Sequence, residues 1–249
     1  MAPPSVRIQV CGRIAVEVDG VRREDNLPGR QGRLLLAYLA IHRHEPVSFD
    51  ALTDGLWGQT PPTASVAALH ALLSKMRRVV GCIVAHGTAR LDLTPDDSVD
   101  LETARDAIHR AESASAQQHW ERAWGAAQTA LFISRRGFLP GETNAWADPV
   151  RHELDLLRQR SLETYANAAL NVGHAELATA ERASRELIGL APFRESAHRL
   201  LIRTLAERGN TAEALQAYTA LRLLLREQLG VFPSAETQQL HAALISRPI

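Results

Sequence analysis

The sequence predicts a mainly α-helical protein opened by a small α+β unit, and three observations carry that expectation. Short β-branched runs with turn signals are confined to residues 1–94. Beyond them, seven segments carry apolar residues at helical spacing. The chain of 249 residues exceeds one ordinary domain, so two folded units are expected, at 1–94 and 95–249.

Arg7 to Val10 and Ile14 to Val18 read as strands around Gly12, and Val18-Asp19-Gly20-Val21 carries the Asp-Gly signal of a tight hairpin. From Gln31 to His44, Leu34, Leu35, Tyr38, Leu39 and Ile41 recur at helical spacing, and Glu45-Pro46 stops the helix. Ser48 is an N-cap for a short second helix holding Leu52 and Leu56. Thr60-Pro61-Pro62-Thr63 is read as the start of a third helix that runs to Val80 and is closed by Gly81. On it Val66, Leu69, Leu73, Met76 and Val80 form a packing stripe. Ala67, Ala71, Ser74, Lys75 and Arg78 face away, with His70 and Arg77 at the flank. Cys82 to Ala85 and Thr88 to Leu93 then read as a hairpin about His86-Gly87, so sheet, three helices and hairpin together make a winged helix.

The polar stretch Thr94-Pro95-Asp96-Asp97-Ser98 marks the expected boundary. Helices follow at Leu101–Ser115, His119–Ser134, Trp146–Val172, Ala175–Leu190, Phe193–Glu207, Ala212–Leu229 and Ala235–Ile245. Gly173 with Ala178, and Gly209 with Ala214, repeat at a spacing of 36, and Gln118 with Ala123 has the same offset. That period predicts tetratricopeptide-like helical hairpins. Trp120, Trp124, Trp146, Phe132 and Phe138 are assigned to packing of this helical part. Leu221 to Leu225 is read as core, with a homodimer contact as the alternative.

A formal net charge of zero hides an asymmetry. Residues 1–94 carry 11 Lys and Arg against 8 Asp and Glu, and no acid occurs from Gly55 through Leu91 or from Asn26 to His44. Surfaces of this kind take anions, of which DNA is the commonest. Catalytic classes find no support: there is no Walker loop, dinucleotide fingerprint, nucleophile elbow or His-Glu-x-x-His sequence. No cofactor is expected. Cys11 and Cys82 lack metal-ligand spacing and are read as buried filler, and His42 and His44 stand too close in sequence to point together on a helix end. With no apolar run of membrane-spanning length and no leader in Met1-Ala2-Pro3-Pro4-Ser5, a cytoplasmic location is expected.

Several motifs carry a family resemblance. Leu27-Pro28-Gly29-Arg30-Gln31-Gly32-Arg33-Leu34-Leu35-Leu36, Leu56-Trp57-Gly58 and Leu73-Ser74-Lys75-Met76-Arg77-Arg78 resemble OmpR-type winged helices. Val99-Asp100-Leu101, Ala191-Pro192-Phe193-Arg194-Glu195, Arg208-Gly209-Asn210-Thr211-Ala212-Glu213-Ala214-Leu215 and Leu229-Gly230-Val231-Phe232-Pro233-Ser234 resemble the bacterial transcriptional activator domain. In that order they are similar to small Streptomyces antibiotic regulatory proteins. The resemblance implies an activator that binds double-stranded promoter DNA at direct repeats, contacts the RNA polymerase holoenzyme, and controls a secondary-metabolite gene cluster such as one for antibiotic biosynthesis.

Within that frame Ser74 and Lys75 are assigned to base or near-base contacts, and Arg30, Arg77 and Arg78 mainly to phosphate. His86, Thr88 and Arg90 of the hairpin are assigned to an adjacent minor groove or backbone, and Arg33 to either DNA or solvent. The family's recognition helix is more polar in its first half than this one, with Ala64, Ala67, Ala68 and Ala71. Readout therefore leans on Thr63, His70, Ser74 and Lys75 and on DNA shape. The alternative from another class is a tetratricopeptide-type scaffold whose winged helix docks protein instead of DNA.

Overall fold

A computed structural model describes residues 5–246. The Met1–Pro4 stretch read above as carrying no leader, and residues 247–249, lie outside the described residues. The chain forms two compact units, one of residues 1–104 with 133–155 and one of 105–132 with 156–249.

In the first unit, β1 (Val6–Gln9), β2 (Ala15–Val18), β3 (Val21–Arg22) and β7 (Ser98–Val99) form a sheet ordered β3-β2-β1-β7. Alternation buries Val6, Ile8, Val16 and Val18 on one face. Asp19 and Gly20 both take positive φ, +53° and +76°, in the two-residue turn their sequence predicts. The sheet is not purely antiparallel, because β7 pairs parallel with β1. The stretch read as a boundary is therefore tied down: the Asp97 carboxylate accepts from the backbone N–H groups of Val6 and Thr94 at 2.5 and 2.6 Å.

The helices α1 (Gly29–Ile41), α2 (Phe49–Trp57) and α3 (Ser65–Val80) follow, with β4 (Val47–Ser48), β5 (Ile83–Ala85) and β6 (Thr88–Leu91) in a second sheet ordered β4-β6-β5. The Ser48 hydroxyl accepts from the Ala51 N–H and caps α2. Leu34, Leu35, Leu36, Leu39, Leu52, Leu69, Leu73 and Met76 fill the space between the helices. Gly32 is where α1 approaches α3, since a Cβ there would lie 2.6 Å from Pro28 and 3.3 Å from the Met76 sulfur.

Residues 133–155 complete this unit. The N–H of Gly12 donates to the carbonyl of Gly137 at 2.7 Å, and Arg151 gathers the carbonyls of Phe138, Leu139 and Glu142. The Trp146 indole N–H and the Asn144 amide both donate to the Gly55 carbonyl, at 2.9 and 3.2 Å, satisfying an acceptor that the end of α2 leaves open. Trp146 also meets Tyr38 edge-on, with ring centroids 4.9 Å apart. Gly55 admits this packing because a Cβ there would press on the Tyr38 ring at 2.7 Å. Trp146 and Phe138 were assigned above to the helical part; they pack in the first unit. Phe132, assigned to packing, is 69% exposed.

The helices α4 (Asp100–Ala116), α5 (Trp120–Ser134) and α6 (Asp148–Val172) contribute residues to both units. The second unit adds α7 (Leu177–Leu190), α8 (Glu195–Glu207), α9 (Thr211–Leu229) and α10 (Ala235–Ile245). Successive helices pack on one another, α7 on α8 and α8 on α9, with α10 against both α8 and α9. Small residues make the crossings close, with Ala166, Ala169, Ala180 and Ala197 fully buried around Leu162 and Leu187. Trp124 stacks on Tyr165, and Tyr218 stacks on His241. Leu221 and Leu225 are core as expected, whereas Leu223 faces out.

The tetratricopeptide-like repeat is visible in its turns. Gly173 and Gly209 adopt φ of +77° and +82°, and Gln118, which replaces glycine at the third site, adopts +60°. Ala123 and Ala214 are buried five residues on, but Ala178 is exposed and Ala180 takes the buried place. A 3-10 turn at His174–Glu176 delays the start of α7 and shifts the small residue by two positions.

Candidate nucleic-acid interface

The helix α3 begins at Ser65, later than the sequence suggests, so Thr60 to Thr63 form the approach to the helix and not its first turn. No side chain caps its N-terminus. At the other end Gly81 provides the closing turn, and Arg77 and Arg78 lie where cations favour the negative end of the helix dipole. Leu69, Leu72, Leu73, Met76, Val79 and Val80 anchor the inner face. Val66, expected to pack, is instead 60% exposed in the first turn of the helix. The outward face thus runs through Val66, Ala67, His70, Ala71, Ser74, Lys75 and Arg78, all exposed.

All eleven candidate residues, Arg30, Arg33, Thr63, His70, Ser74, Lys75, Arg77, Arg78, His86, Thr88 and Arg90, are exposed, but their cations differ in what engages them. Arg30 forms an ion pair with Glu142 at 2.6 Å and reaches Asn144 at 3.5 Å. The Arg77 guanidinium donates to the carbonyls of Ile83 and Ala85, at 3.1 and 3.0 Å, which fastens the β5–β6 hairpin to α3. Arg90 lies 3.4 Å from Asp92. Arg33, Lys75 and Arg78 meet neither a carboxylate nor a carbonyl among the described residues.

The remaining candidates are placed as follows. His70 stands edge-on to Phe49 at 5.1 Å, which fixes its ring at the flank of α3. His86 and Gly87 form the hairpin turn, with the His86 N–H donating to the Thr88 carbonyl. Thr88 pairs with Ser48 in register and Arg90 pairs with Val84. Cys82 beside them is no reactive thiol: burial, reinforced by Asp97, pushes it up to about 11. Among the described residues no group of three or more His, Cys, Asp or Glu could hold a metal, and no helix is long and apolar enough to cross a membrane.

Sequence reasoning missed the partners of Arg30 and Arg77. Glu142 and Asn144 lie more than a hundred residues from Arg30, and nothing in their local sequence announces the pairing. The Arg77 bonds had a faint signal, since the residue is followed closely by a hairpin whose edge carbonyls need donors.

A winged helix with an acid-free third helix, joined to stacked helical hairpins, defines a class of two-part bacterial regulators. Residues 99–245 match the family described as bacterial transcriptional activator domain. The chain belongs to that family and, with it, to the regulators of the Streptomyces antibiotic regulatory protein type. It is 30% identical over 97% of its length to the regulatory protein AfsR of Streptomyces coelicolor, of which it spans 24%. It is 27% identical over 95% of its length to the transcriptional regulatory protein EmbR of Mycobacterium tuberculosis, spanning 62% of that protein. A solved structure of Mycobacterium tuberculosis EmbR in complex with a low-affinity phosphopeptide superposes with a TM-score of 0.83 at 22% identity, covering 99% of this chain and 66% of the other. That likeness shows the fold: a winged helix-turn-helix followed by an all-helical tetratricopeptide-like domain.

Proposed function

We propose that the chain is a transcriptional activator that grips duplex promoter DNA through α3 and the β5–β6 hairpin. The observation that carries the reading is the outward face of α3, where Lys75 and Arg78 stand exposed with no partner among the described residues, in a stretch devoid of acid. Same-sign charge held together without counter-charge is disfavoured in an isolated protein and favoured against a polyanion. A helix of this kind fits the major groove. Ser74 and Lys75 would approach base edges, and Val66, Ala67 and Ala71 leave the backbone room for close approach. Arg78 and Arg33 would neutralise phosphate. Arg77 acts mainly by aiming the hairpin, placing His86, Thr88 and Arg90 beside the duplex, and Arg30 enters with its charge already balanced by Glu142.

In this reading residues 1–94 are the DNA-binding domain and residues 95–249 the activator domain, which lends residues 133–155 to the compact unit carrying α3. Recruitment of RNA polymerase, binding of two copies to direct repeats and control of a secondary-metabolite gene cluster follow from the family. The test is retention of the intergenic DNA flanking its gene in a gel shift, with salt varied. Retention that weakens steeply with salt, and is abolished in Lys75→Glu/Arg78→Glu without loss of helical signal, supports the reading. Unchanged retention in that variant refutes it and favours a protein-docking scaffold.

A further inference from the structure

We infer that the first unit carries a binding site for a small organic cation, a protonated primary amine on a flat apolar body, with Asp54 as its counter-charge. A pocket of about 600 Å³ opens between α1, α2 and residues 143–146, all within that unit. Tyr38, Trp57 and Trp146 line it, with the ring centroids of Tyr38 and Trp146 4.9 Å apart. Its two charged lining residues are not equivalent. Arg30 is balanced by Glu142 at 2.6 Å. Asp54 is exposed, and its carboxylate meets no cation or donor among the described residues. It stands in the last turn of α2, where the helix dipole disfavours negative charge and no basic residue offsets it. An acid in that place does not help the free protein fold, and it leaves the pocket with a net negative charge.

The rest of the lining says which kind of cation. An ammonium brings three donors and no acceptor. The Tyr38 hydroxyl makes no hydrogen bond among the described residues, and burial, followed by Asp54, holds the phenol above its ordinary range, so it stays protonated and free to accept. The end of α2 leaves the carbonyl of Leu56, another lining residue, without a donor. Carboxylate, phenol and carbonyl make three acceptors, and the aromatic side chains suit both the charge and an apolar body beside it. The volume is that of a small-molecule site. An anion fits less well, because Glu142 already engages Arg30 and Asp54 would face the ligand. A bare metal ion fits less well too, since Asp54 has no second His, Cys, Asp or Glu beside it in the lining.

The site shares only Arg30 with the residues proposed to meet DNA, so the two readings fail separately. The four tryptophans give four indole N–H signals in a nitrogen–proton correlation spectrum of the full chain, assigned by single Trp→Phe variants. The probes are phenethylamine, the uncharged phenethyl alcohol, the anionic hydrocinnamate and a capped tripeptide with a central lysine. Phenethylamine should move the Trp57 and Trp146 signals and leave Trp120 and Trp124 in place, with a dissociation constant on the order of 1 mM. The alcohol and hydrocinnamate should bind at least about tenfold more weakly, as should phenethylamine to Asp54→Asn, whose ligand-free indole signals show that it folds. Tyr38→Phe should lose about threefold. Equal binding of amine and alcohol, an unchanged constant in Asp54→Asn, shifts confined to Trp120 and Trp124, or no shift at all would each overturn it. Tighter binding of the lysine tripeptide than of phenethylamine would overturn it as well, by making the pocket a dock for a protein side chain.

Discussion

In the second unit Arg158, Arg160, Arg194, Arg199 and Arg208 each sit against a glutamate, whereas on α3 of the first unit Lys75 and Arg78 meet no carboxylate among the described residues. The arginines of the stacked helices join neighbouring turns and helices, and pairs of this partly exposed kind contribute little individually, about 0–1 kcal/mol. Cations without partners contribute nothing to folding, so their clustering calls for another explanation, and under the proposed DNA-binding reading a polyanionic ligand supplies it. The comparison breaks most directly by charge reversal. Lys75→Glu/Arg78→Glu is expected to weaken duplex retention by on the order of 100-fold or more, and a single neutral Lys75→Ala to lower the salt slope by about one. Arg158→Glu, which opposes Glu186, should leave retention unchanged while lowering thermal stability. Equal effects of α3 and α6 reversals on retention would mean that bulk charge, not α3, governs binding.

Much of this contrast was legible in the sequence. The absence of acid from Gly55 through Leu91 located the face, and apolar spacing, Ser48 and Gly81 located the helices that present it. What escaped was long-range partnership. A tryptophan's size announces that its ring will be covered, but says nothing of which unit covers it, so Trp146 and Phe138 were placed with the wrong helices. The engagement of Arg30 by Glu142 is equally invisible, since two exposed charges far apart in sequence look alike whether they meet or not. Val66 was misplaced for a local reason: periodicity describes a face, not where the neighbouring structure ends.

The displaced tryptophan leads to the next largest effect. If residues 133–155 are structural parts of the unit that carries α3, Trp146→Ala should destabilise that unit by about 3 kcal/mol, chiefly through the lost ring, since the Asn144 amide still donates to the Gly55 carbonyl. DNA retention would fall with it at temperatures where the helical unit remains folded. A fragment ending at residue 94 should show the same weakness. Hydrogen exchange resolves the two units, and protection of α2 that is unchanged in Trp146→Ala would show that the segment is an accessory.

Two carboxylates sharpen the comparison on a smaller scale. Asp100 begins α4 in the first unit and accepts from the N–H groups of Val10 and Cys11 at 2.8 and 3.2 Å. Glu195 begins α8 in the second and accepts from the N–H and hydroxyl of Ser234 and the hydroxyl of Thr237, fastening α10. Burial raises the Asp100 pKa, and its hydrogen bonds and Arg136 offset that only in part. Burial acts the same way on Glu195, but Thr237, Ser234 and Arg199 outweigh it and the pKa is lowered. The signs of the pH dependence are therefore opposite. Glu195 contributes stability above the ordinary glutamate pKa that is lost as pH falls through its lowered folded value. Asp100 carries a cost at neutral pH that is relieved as pH falls through its raised value. Glu195→Gln should cost about 1 kcal/mol at neutral pH and progressively less in acid, while Asp100→Asn should cost less than that at neutral pH and not recover in acid. Thermal unfolding across the carboxylate range checks both, and parallel pH profiles for the two variants would contradict the assignment.

The smallest expected effect concerns Gln118, the one repeat turn without glycine. A residue with a Cβ at φ +60° is held in the left-handed region at roughly 1–2 kcal/mol, whereas Gly173 and Gly209 occupy the equivalent places without that penalty. Replacing Gln118 by glycine removes the strain but gives the unfolded chain more freedom to lose, so the gain should be under about 1 kcal/mol. Gly173→Gln and Gly209→Gln should each cost a comparable amount, because all three turns have the same backbone sign. Helical unfolding of the second unit followed by circular dichroism orders the four proteins. A Gln118→Gly variant less stable than the parent would mean that the glutamine side chain makes a contact worth more than the strain, and that the three turns, alike in backbone, differ in what holds them.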